Sequence, residues 1–203
     1  MDNIKFSLIK EEYREMVFRW LSRLKLHSKE TYDHSIDVAE KSLVLAKRLG
    51  VKVDEFEKLY TASLMHDIGK LYIDSEILHK RDATENEIQL IRTVHVEGTR
   101  TILSKYFDSD IVNLATHHHE RLDSSGYPRH LGGKNLNSLD RILQVADVTS
   151  ALEMNRSYKK AYTPERTIAV LDRLAKNGEL DRKCVNEIER AMFGSNDRPE
   201  FGA

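Results

Sequence analysis

The stretch KETYDHSIDVAEKSLVLAKRLG, residues 29–50, shows most clearly how this chain folds. Its apolar residues recur three or four positions apart, at Ile36, Ala39, Leu43 and Ala46, which is the spacing of one face of an α-helix. Ser28 directly before the stretch can cap the first turn, and Gly50 is a typical residue at a helix C-terminus. The stretch therefore predicts a long helix with one buried face.

The rest of the chain has the same helical character. Alternating strand patterns are nearly absent, and the 203 residues include only three prolines. Thr84 and Glu87 form a capping-box pattern before a helix that should run to about Lys105. Asp54 is expected to cap the helix that leads to His66. Further helices are predicted at 11–24, 111–120, 139–153, 164–177 and 182–193, so the predicted fold class is all-α.

One large domain accounts for this pattern. We predict that it covers residues 29–193, with residues 1–28 as an added N-terminal helical extension and residues 194–203 as a flexible tail. The main irregular segment, 123–137, is rich in Gly and Ser.

Composition excludes several function classes. The 32 Lys and Arg residues balance 33 Asp and Glu residues. The net charge of -1 therefore gives no sign of the excess of basic residues that binding to duplex nucleic acid requires. The single cysteine, Cys184, excludes an internal disulfide and is expected to be a packed thiol. No apolar run approaches the ~18 residues of a membrane span, and the N-terminus lacks a signal-peptide pattern. We expect a cytoplasmic protein without a membrane partner.

Several histidines and acids occur where a metal centre could use them. His66 and Asp67 are adjacent at the end of an apolar helix, although a surface helix end carries such a pair often by chance. His34 follows Glu30 by four residues, so both can share one helical face. Asp147 lies on a largely apolar helix, where a buried carboxylate needs a cation or hydrogen-bond donors; a capping or salt-bridging role is the alternative.

Three more histidines, His95, His118 and His119, raise the number of candidate ligands beyond the needs of one metal ion. Six or seven nitrogen and oxygen ligands suit two ions that share a bridging carboxylate. Two such ions, ~3.5–4 Å apart, can activate a hydroxide and hold a phosphoryl oxygen. The residues therefore favour a metal-dependent phosphohydrolase.

The ordered set of motifs resembles the HD-GYP family, a branch of the HD phosphohydrolase superfamily. The resemblance runs from about residue 29 to 193, through His34, the run HDIGK at 66–70, His95, HHERLDSSGYP at 118–128 and ADVTSA around Asp147. It implies an HD-domain helical bundle and hydrolysis of a cyclic dinucleotide, cyclic di-GMP first, by a metal-bridged hydroxide. It also implies two divalent ions, iron or manganese ahead of zinc or nickel.

The resemblance also assigns roles to residues. The implied metal ligands are His34, His66, Asp67, His95, His118, His119 and Asp147, with Asp67 as the catalytic bridging residue and Glu30 as a ligand if a third ion binds. Lys70 would be catalytic and would meet a substrate phosphate. Arg156 and Lys159 match basic positions that approach the nucleotide, and Arg121 either orients a carboxylate or contacts phosphate.

Two positions depart from the family pattern and keep other functions open. Ser124 replaces a usual glycine, which matters if that position needs a positive φ, and Ser150 replaces a usual aspartate beside the metal site. One alternative is a phosphohydrolase of another nucleotide or phosphoester. A second is a weakly active, metal-bound signalling module that recruits a protein partner, and a homodimer is also open.

Overall fold

The computed structural model describes residues 4–155 and 160–194, and within them the chain is helical with no β-strand. Two short 3-10 helices occur at Phe6–Leu8 and Ile68–Tyr72. The α-helices are α1 (Glu11–His27), α2 (Lys29–Arg48), α3 (Val53–Met65), α4 (Ser75–Leu78), α5 (Glu85–Leu103), α6 (Ser109–Thr116), α7 (Ser138–Glu153), α8 (Pro164–Lys176) and α9 (Arg182–Phe193). The predicted all-α class is confirmed.

Helix α2 lies at the centre of the bundle and contacts α1, α3, α7 and α9. Its apolar face, predicted from the spacing around Ala39, is buried in a hydrophobic core that takes residues from helices along the whole chain. Tyr13, Val17, Leu21 and Leu24 of α1 belong to this same core. The domain boundary at residue 28 stays a prediction, as does the flexible tail, of which only Gly194 lies among the described residues.

Helix ends show which local signals act as expected. The Ser28 hydroxyl accepts a hydrogen bond from the Thr31 amide, and Thr84 and Glu87 form the predicted capping box. Asp54 as a cap is wrong, because α3 already begins at Val53 and Lys52 is its capping residue. The predicted helix over 111–120 is too long, because it ends at Thr116 and the histidine run follows as turns.

Two predictions from composition concern Cys184 and membrane spans, and the structure bears on both. Cys184 is only 4% exposed, and burial raises the pKa of its thiol to about 12, which fits a packed thiol. Across the described residues, none of the helices combines the length and the apolar character that crossing a membrane requires.

A contact between two glycines sets the distance between α5 and the segment that follows His66. A Cβ atom on Gly69 would lie 1.9 Å from the His95 carbonyl oxygen and 2.3 Å from the Thr99 amide nitrogen. A Cβ atom on Gly98 would in turn lie 3.0 Å from the Gly69 carbonyl oxygen. The Thr99 hydroxyl accepts from the Gly69 amide and donates to the carbonyl oxygen of His66. This contact brings the His95 side chain next to Asp67.

Replacing Gly69 with alanine tests this contact. The added methyl overlaps backbone atoms that belong to α5, so we expect G69A to lower the free energy of unfolding by at least about 2 kcal/mol. G133A is the matched control, since a Cβ there meets its neighbours at 3.5 Å or more. Urea denaturation of both variants checks this; equal stability would contradict the contact.

Candidate metal centre

Two adjacent groups of three side chains in the interior could each hold a metal ion. In each group the candidate ligand atoms lie within 4.8 Å of one another. The members of the first group are His34, His66 and Asp67, and those of the second are His95, His118 and His119. The structure thus brings together six of the seven ligands that the sequence implies, and Asp147 lies beside both groups.

Five parts of the chain supply these side chains. His34 projects from the second turn of α2, and Asp147 from α7, which packs against α2. His66 and Asp67 occupy the break between α3 and the following 3-10 helix. His95 comes from α5, while His118 and His119 lie in the turns that follow α6. Residues far apart in the sequence therefore converge at one point in the bundle.

Asp67 is a member of the first group and also faces the second, with one carboxylate oxygen toward each group. Its Oδ2 atom is 3.5 Å from His66 Nε2 and 3.9 Å from His34 Nε2. Its Oδ1 atom is 2.9 Å from His95 Nε2 and 3.9 Å from His118 Nε2. The close approach to His95 lacks the angle of a hydrogen bond, since His95 Nε2 has no hydrogen-bond partner. This is the arrangement that a bridging carboxylate requires.

Asp147 is the second carboxylate that reaches both groups. Its Oδ1 atom is 3.0 Å from His34 Nε2 and 3.8 Å from His66 Nε2, and its Oδ2 atom is 4.0 Å from His119 Nδ1. Asp147 lies inside α7, whose capping residues are Asn137 and Met154, so the alternative of a capping role is wrong, and its close polar contact is with His34.

Backbone carbonyls fix the tautomer of two of the histidines. His66 Nδ1 lies 2.7 Å from the Ser63 carbonyl oxygen, and His118 Nδ1 lies 2.6 Å from that of Ala115. Because a carbonyl only accepts, the proton is on Nδ1 and the lone pair on Nε2 faces the site. Both Nε2 atoms are buried and have no hydrogen-bond partner in the described part of the chain. A buried unpaired nitrogen is costly, and a divalent cation would satisfy it.

The site is electrostatically prepared for cations. Burial lowers the pKa of His34, His95, His118 and His119, so these rings stay neutral. Burial alone would raise the pKa of Asp67, but the ammonium of Lys70 and the interactions with the neighbouring imidazoles outweigh it and hold the pKa well below the usual range. The pKa of Asp147 is likewise low, because its interactions with His34 outweigh burial. Two ionised carboxylates among neutral imidazoles are a set that binds metal.

The basic residues predicted at the site differ in their placement. Lys70 Nζ lies 2.6 Å from Asp67 Oδ2 and lines a cavity of about 160 Å³ together with Glu30 and His34. Glu30 is therefore beside the centre but outside both groups. Arg121 donates to the carbonyl oxygens of His118 and Glu120, so it holds the backbone of the turn. Arg156 and Lys159 lie outside the described residues.

Ser150 is the position where the family pattern usually has an aspartate. Its hydroxyl oxygen is 2.9 Å from His34 Nδ1, on the side of the ring opposite Asp147. The hydroxyl therefore keeps a hydrogen bond to His34 without adding a charge.

Glu120 shapes the Gly-Tyr-Pro loop and was missed as a functional residue. It is fully buried, and its two carboxylate oxygens accept from the Arg129 and Leu131 amides at 2.8 Å each. A Cβ atom on Gly126 would lie 2.4 Å from the His119 carbonyl oxygen, so only glycine fits there. The loop therefore folds back over the histidine run, where the Tyr127 ring lies 4.6 Å from that of His119.

Comparison with known proteins identifies the family of this chain. The model of the HD domain family matches residues 15–184. A 3'3'-cGAMP-specific phosphodiesterase of Vibrio cholerae is 35% identical over 89% of this chain and 42% of its own length. A cyclic di-GMP phosphodiesterase of Pseudomonas aeruginosa is 33% identical over 85% of this chain and 42% of its own length. The chain thus spans less than half of these two relatives.

Among solved structures, the HD domain of the L. monocytogenes phosphodiesterase PgpH aligns with a TM-score of 0.63. It is 17% identical and covers 85% of this chain and 94% of its own, which supports the fold. The chain therefore belongs to the HD domain family, in its HD-GYP branch, as the motifs predicted.

The backbone of the loop generates one prediction about stability. Ser124 has a φ of 68°, in the left-handed region that disfavours residues with a Cβ, so a glycine is suited to this position. We expect S124G to raise the free energy of unfolding by about 1 kcal/mol. In the control S125G the hydrogen bond from the Ser125 hydroxyl to Asp123 is lost, and stability should fall. The urea midpoints of both variants test this prediction. A lower midpoint for S124G would contradict backbone strain at Ser124.

The buried charges predict how the metal-free protein responds to acid. The folded state keeps its buried histidines neutral, whereas the unfolded chain takes up protons below a pKa of about 6.5. Unfolding then consumes protons, so stability is highest above that pH and falls as pH decreases. The two aspartates, with lowered pKa values, act in the same direction below about pH 4. Urea midpoints of chelator-treated protein at pH 7.5 and 5.5 test this, and an unchanged midpoint would contradict it.

Proposed function

We propose that this chain is a metal-dependent phosphodiesterase that hydrolyses a cyclic dinucleotide. The observation that carries the proposal is the set of buried Nε2 atoms, those of His66, His95 and His118, which have no hydrogen-bond partner and surround the Asp67 carboxylate. Buried nitrogen lone pairs beside an ionised acid are suited to divalent cations.

Two ions fit the arrangement of the side chains. His34, His66, Asp67 and Asp147 would hold one ion, and Asp67 would share its other oxygen with a second ion held by His95, His118 and His119. Glu30, beside the first group, would serve a third. Nitrogen and oxygen ligands of this kind suit iron or manganese, and also zinc or nickel. When bound, such ions supply positive charge and a hydrolytic nucleophile at neutral pH.

Charge explains why an anionic substrate needs these cations. A phosphodiester carries a negative charge, and next to Asp67 and Asp147 it would meet two ionised, buried carboxylates. Lys70 offsets only part of that charge, and its ammonium lies in the small cavity at the edge of the site. In this position Lys70 can contact a phosphate oxygen and stabilise the charge that develops on it.

The substrate class follows from the relatives together with the motifs. The two relatives described above are named for cyclic di-GMP and for 3'3'-cGAMP, and both are cyclic dinucleotides. We propose cyclic di-GMP as the first substrate to test. Hydrolysis would open the ring at one phosphodiester and give a linear dinucleotide.

Replacing Asp67 with asparagine tests the bridging role. D67N keeps the shape but removes the charge that faces both groups, so we expect bound metal per chain to fall and turnover to decrease at least about 100-fold. Metal content is measured by mass spectrometry and turnover by chromatography of cyclic di-GMP. The control is D110N, at an exposed aspartate paired with Lys58. Unchanged metal content and turnover in D67N would refute the role.

The same assay separates the substrate classes. Protein loaded with manganese or iron is given cyclic di-GMP, 3'3'-cGAMP and a bis-aryl phosphodiester in parallel. We expect cleavage of at least one dinucleotide with a KM well below that for the bis-aryl ester. Cleavage of the aryl ester alone would contradict the proposal and favour another phosphoester.

A further inference from the structure

Arg92, an exposed residue of α5, contacts the Gly-Tyr-Pro loop. Its guanidinium lies over the Tyr127 ring, 5.5 Å from the ring centroid. The same Tyr127 ring lies 4.6 Å from the ring of His119. Arg92 stands three residues before His95 on α5, so both residues occupy one side of that helix. An exposed cation is thus linked to the candidate metal centre through two stacked rings.

The hydrogen-bonding groups of Arg92 are unused in the part of the chain that the structure describes. No carboxylate or carbonyl there accepts a hydrogen bond from its guanidinium, and the residue is exposed. The neighbouring Arg121 differs, because it donates to the carbonyl oxygens of His118 and Glu120. A guanidinium that covers an aromatic ring still has the N–H groups at its edge available, and their planar arrangement matches two phosphate oxygens.

We propose that Arg92 binds the phosphate of the cyclic dinucleotide that is not being cleaved. This inference rests on the proposed function, because a cyclic dinucleotide contains two phosphodiesters and only one can occupy the centre around Asp67. Arg92 contacts Tyr127, and the Tyr127 ring lies next to that of His119, so Arg92 is close enough to the centre to meet the second phosphate. Arg92 then selects for substrates with two phosphates and adds nothing to a substrate with one.

The contact with Tyr127 fixes the guanidinium for this role. A cation over an aromatic face within about 6 Å is attracted by the ring, so Arg92 is oriented before substrate arrives. Glu120 and Gly126 in turn hold the loop that carries Tyr127. Arg92 is therefore a substrate-binding residue, which the sequence did not reveal because no motif of the chain includes it.

The test is the variant R92Q, assayed with metal-loaded protein on cyclic di-GMP, cyclic di-AMP and a bis-aryl phosphodiester. Loss of a charge-assisted hydrogen bond should raise KM for the dinucleotides about tenfold and change kcat less than about twofold. Both constants for the aryl ester should stay at the wild-type value. R92K keeps the positive charge but lacks the planar guanidinium that can donate two parallel hydrogen bonds, so its KM should lie between those of wild type and R92Q.

R23Q is the matched control, because Arg23 is also exposed and lies over an aromatic ring, 4.9 Å from the centroid of Trp20 on α1. It removes an arginine–aromatic contact away from the site and should leave all constants unchanged. Thermal melts of the three variants show whether any change in KM reflects loss of folding, and a KM effect explained in that way counts against the role of Arg92.

Three other results would overturn the inference. A wild-type KM in R92Q would show that Arg92 contacts no substrate, and an equal KM increase for the aryl ester would place it at the cleaved phosphate. An effect on cyclic di-GMP but not on cyclic di-AMP would indicate a contact with the guanine base. If wild-type protein neither binds nor cleaves any dinucleotide, the proposed function fails together with this inference. If wild-type protein is active and R92Q has the same KM, only the inference about Arg92 fails.

Discussion

The burial of two ionised carboxylates, Asp67 and Asp147, is the constraint on which the rest of this structure depends. A buried charge without a partner is strongly unfavourable, and the pKa values of both acids are nevertheless low. Burial lowers the pKa of His34, His95, His118 and His119, so these rings add no positive charge at neutral pH. Lys70 is the cation that directly contacts Asp67 in the described part of the chain. One lysine cannot balance two carboxylates, so the interior of this bundle has a charge deficit that added cations would satisfy.

The fold holds the side chains around the two buried carboxylates in place by fixing the backbone that carries them. Gly69 lets α5 approach until backbone atoms touch, which sets the distance between His95 and Asp67. Gly126 lets the loop close on the turn that carries His119, and Glu120 locks the loop by accepting two amides. Side chains aimed by rigid backbone lose little entropy when a ligand binds. These glycines therefore act on the site although they contribute no functional group.

The sequence predicted the helices, and it pointed to histidines and acids that the structure brings together, because both have local signatures. The spacing of apolar residues and the caps at Ser28 and Thr84 are read from neighbouring residues, and motif order identified the histidines. It failed at the histidine run, since nothing local shows that α6 ends at Thr116. It also could not pair His34 with Ser150, which are 116 positions apart, or Arg92 with Tyr127. Contacts between distant side chains depend on packing, which sequence pattern does not encode.

Ser150 shows how such a contact changes the chemistry of the site. A carboxylate beside His34 Nδ1 would fix the proton there and make the opposite nitrogen a stronger metal ligand. The ionised Asp147 carboxylate, 3.0 Å from His34 Nε2, can only accept, so the proton of the neutral His34 ring lies on Nε2 and the Ser150 hydroxyl donates to Nδ1. In His66 and His118, by contrast, carbonyls place the proton on Nδ1. The site also carries one negative charge fewer than it would with aspartate. The candidate ligand His34 thus has a neutral hydroxyl in place of a charged partner at Nδ1, on the side of the centre where Lys70 and Glu30 line the cavity.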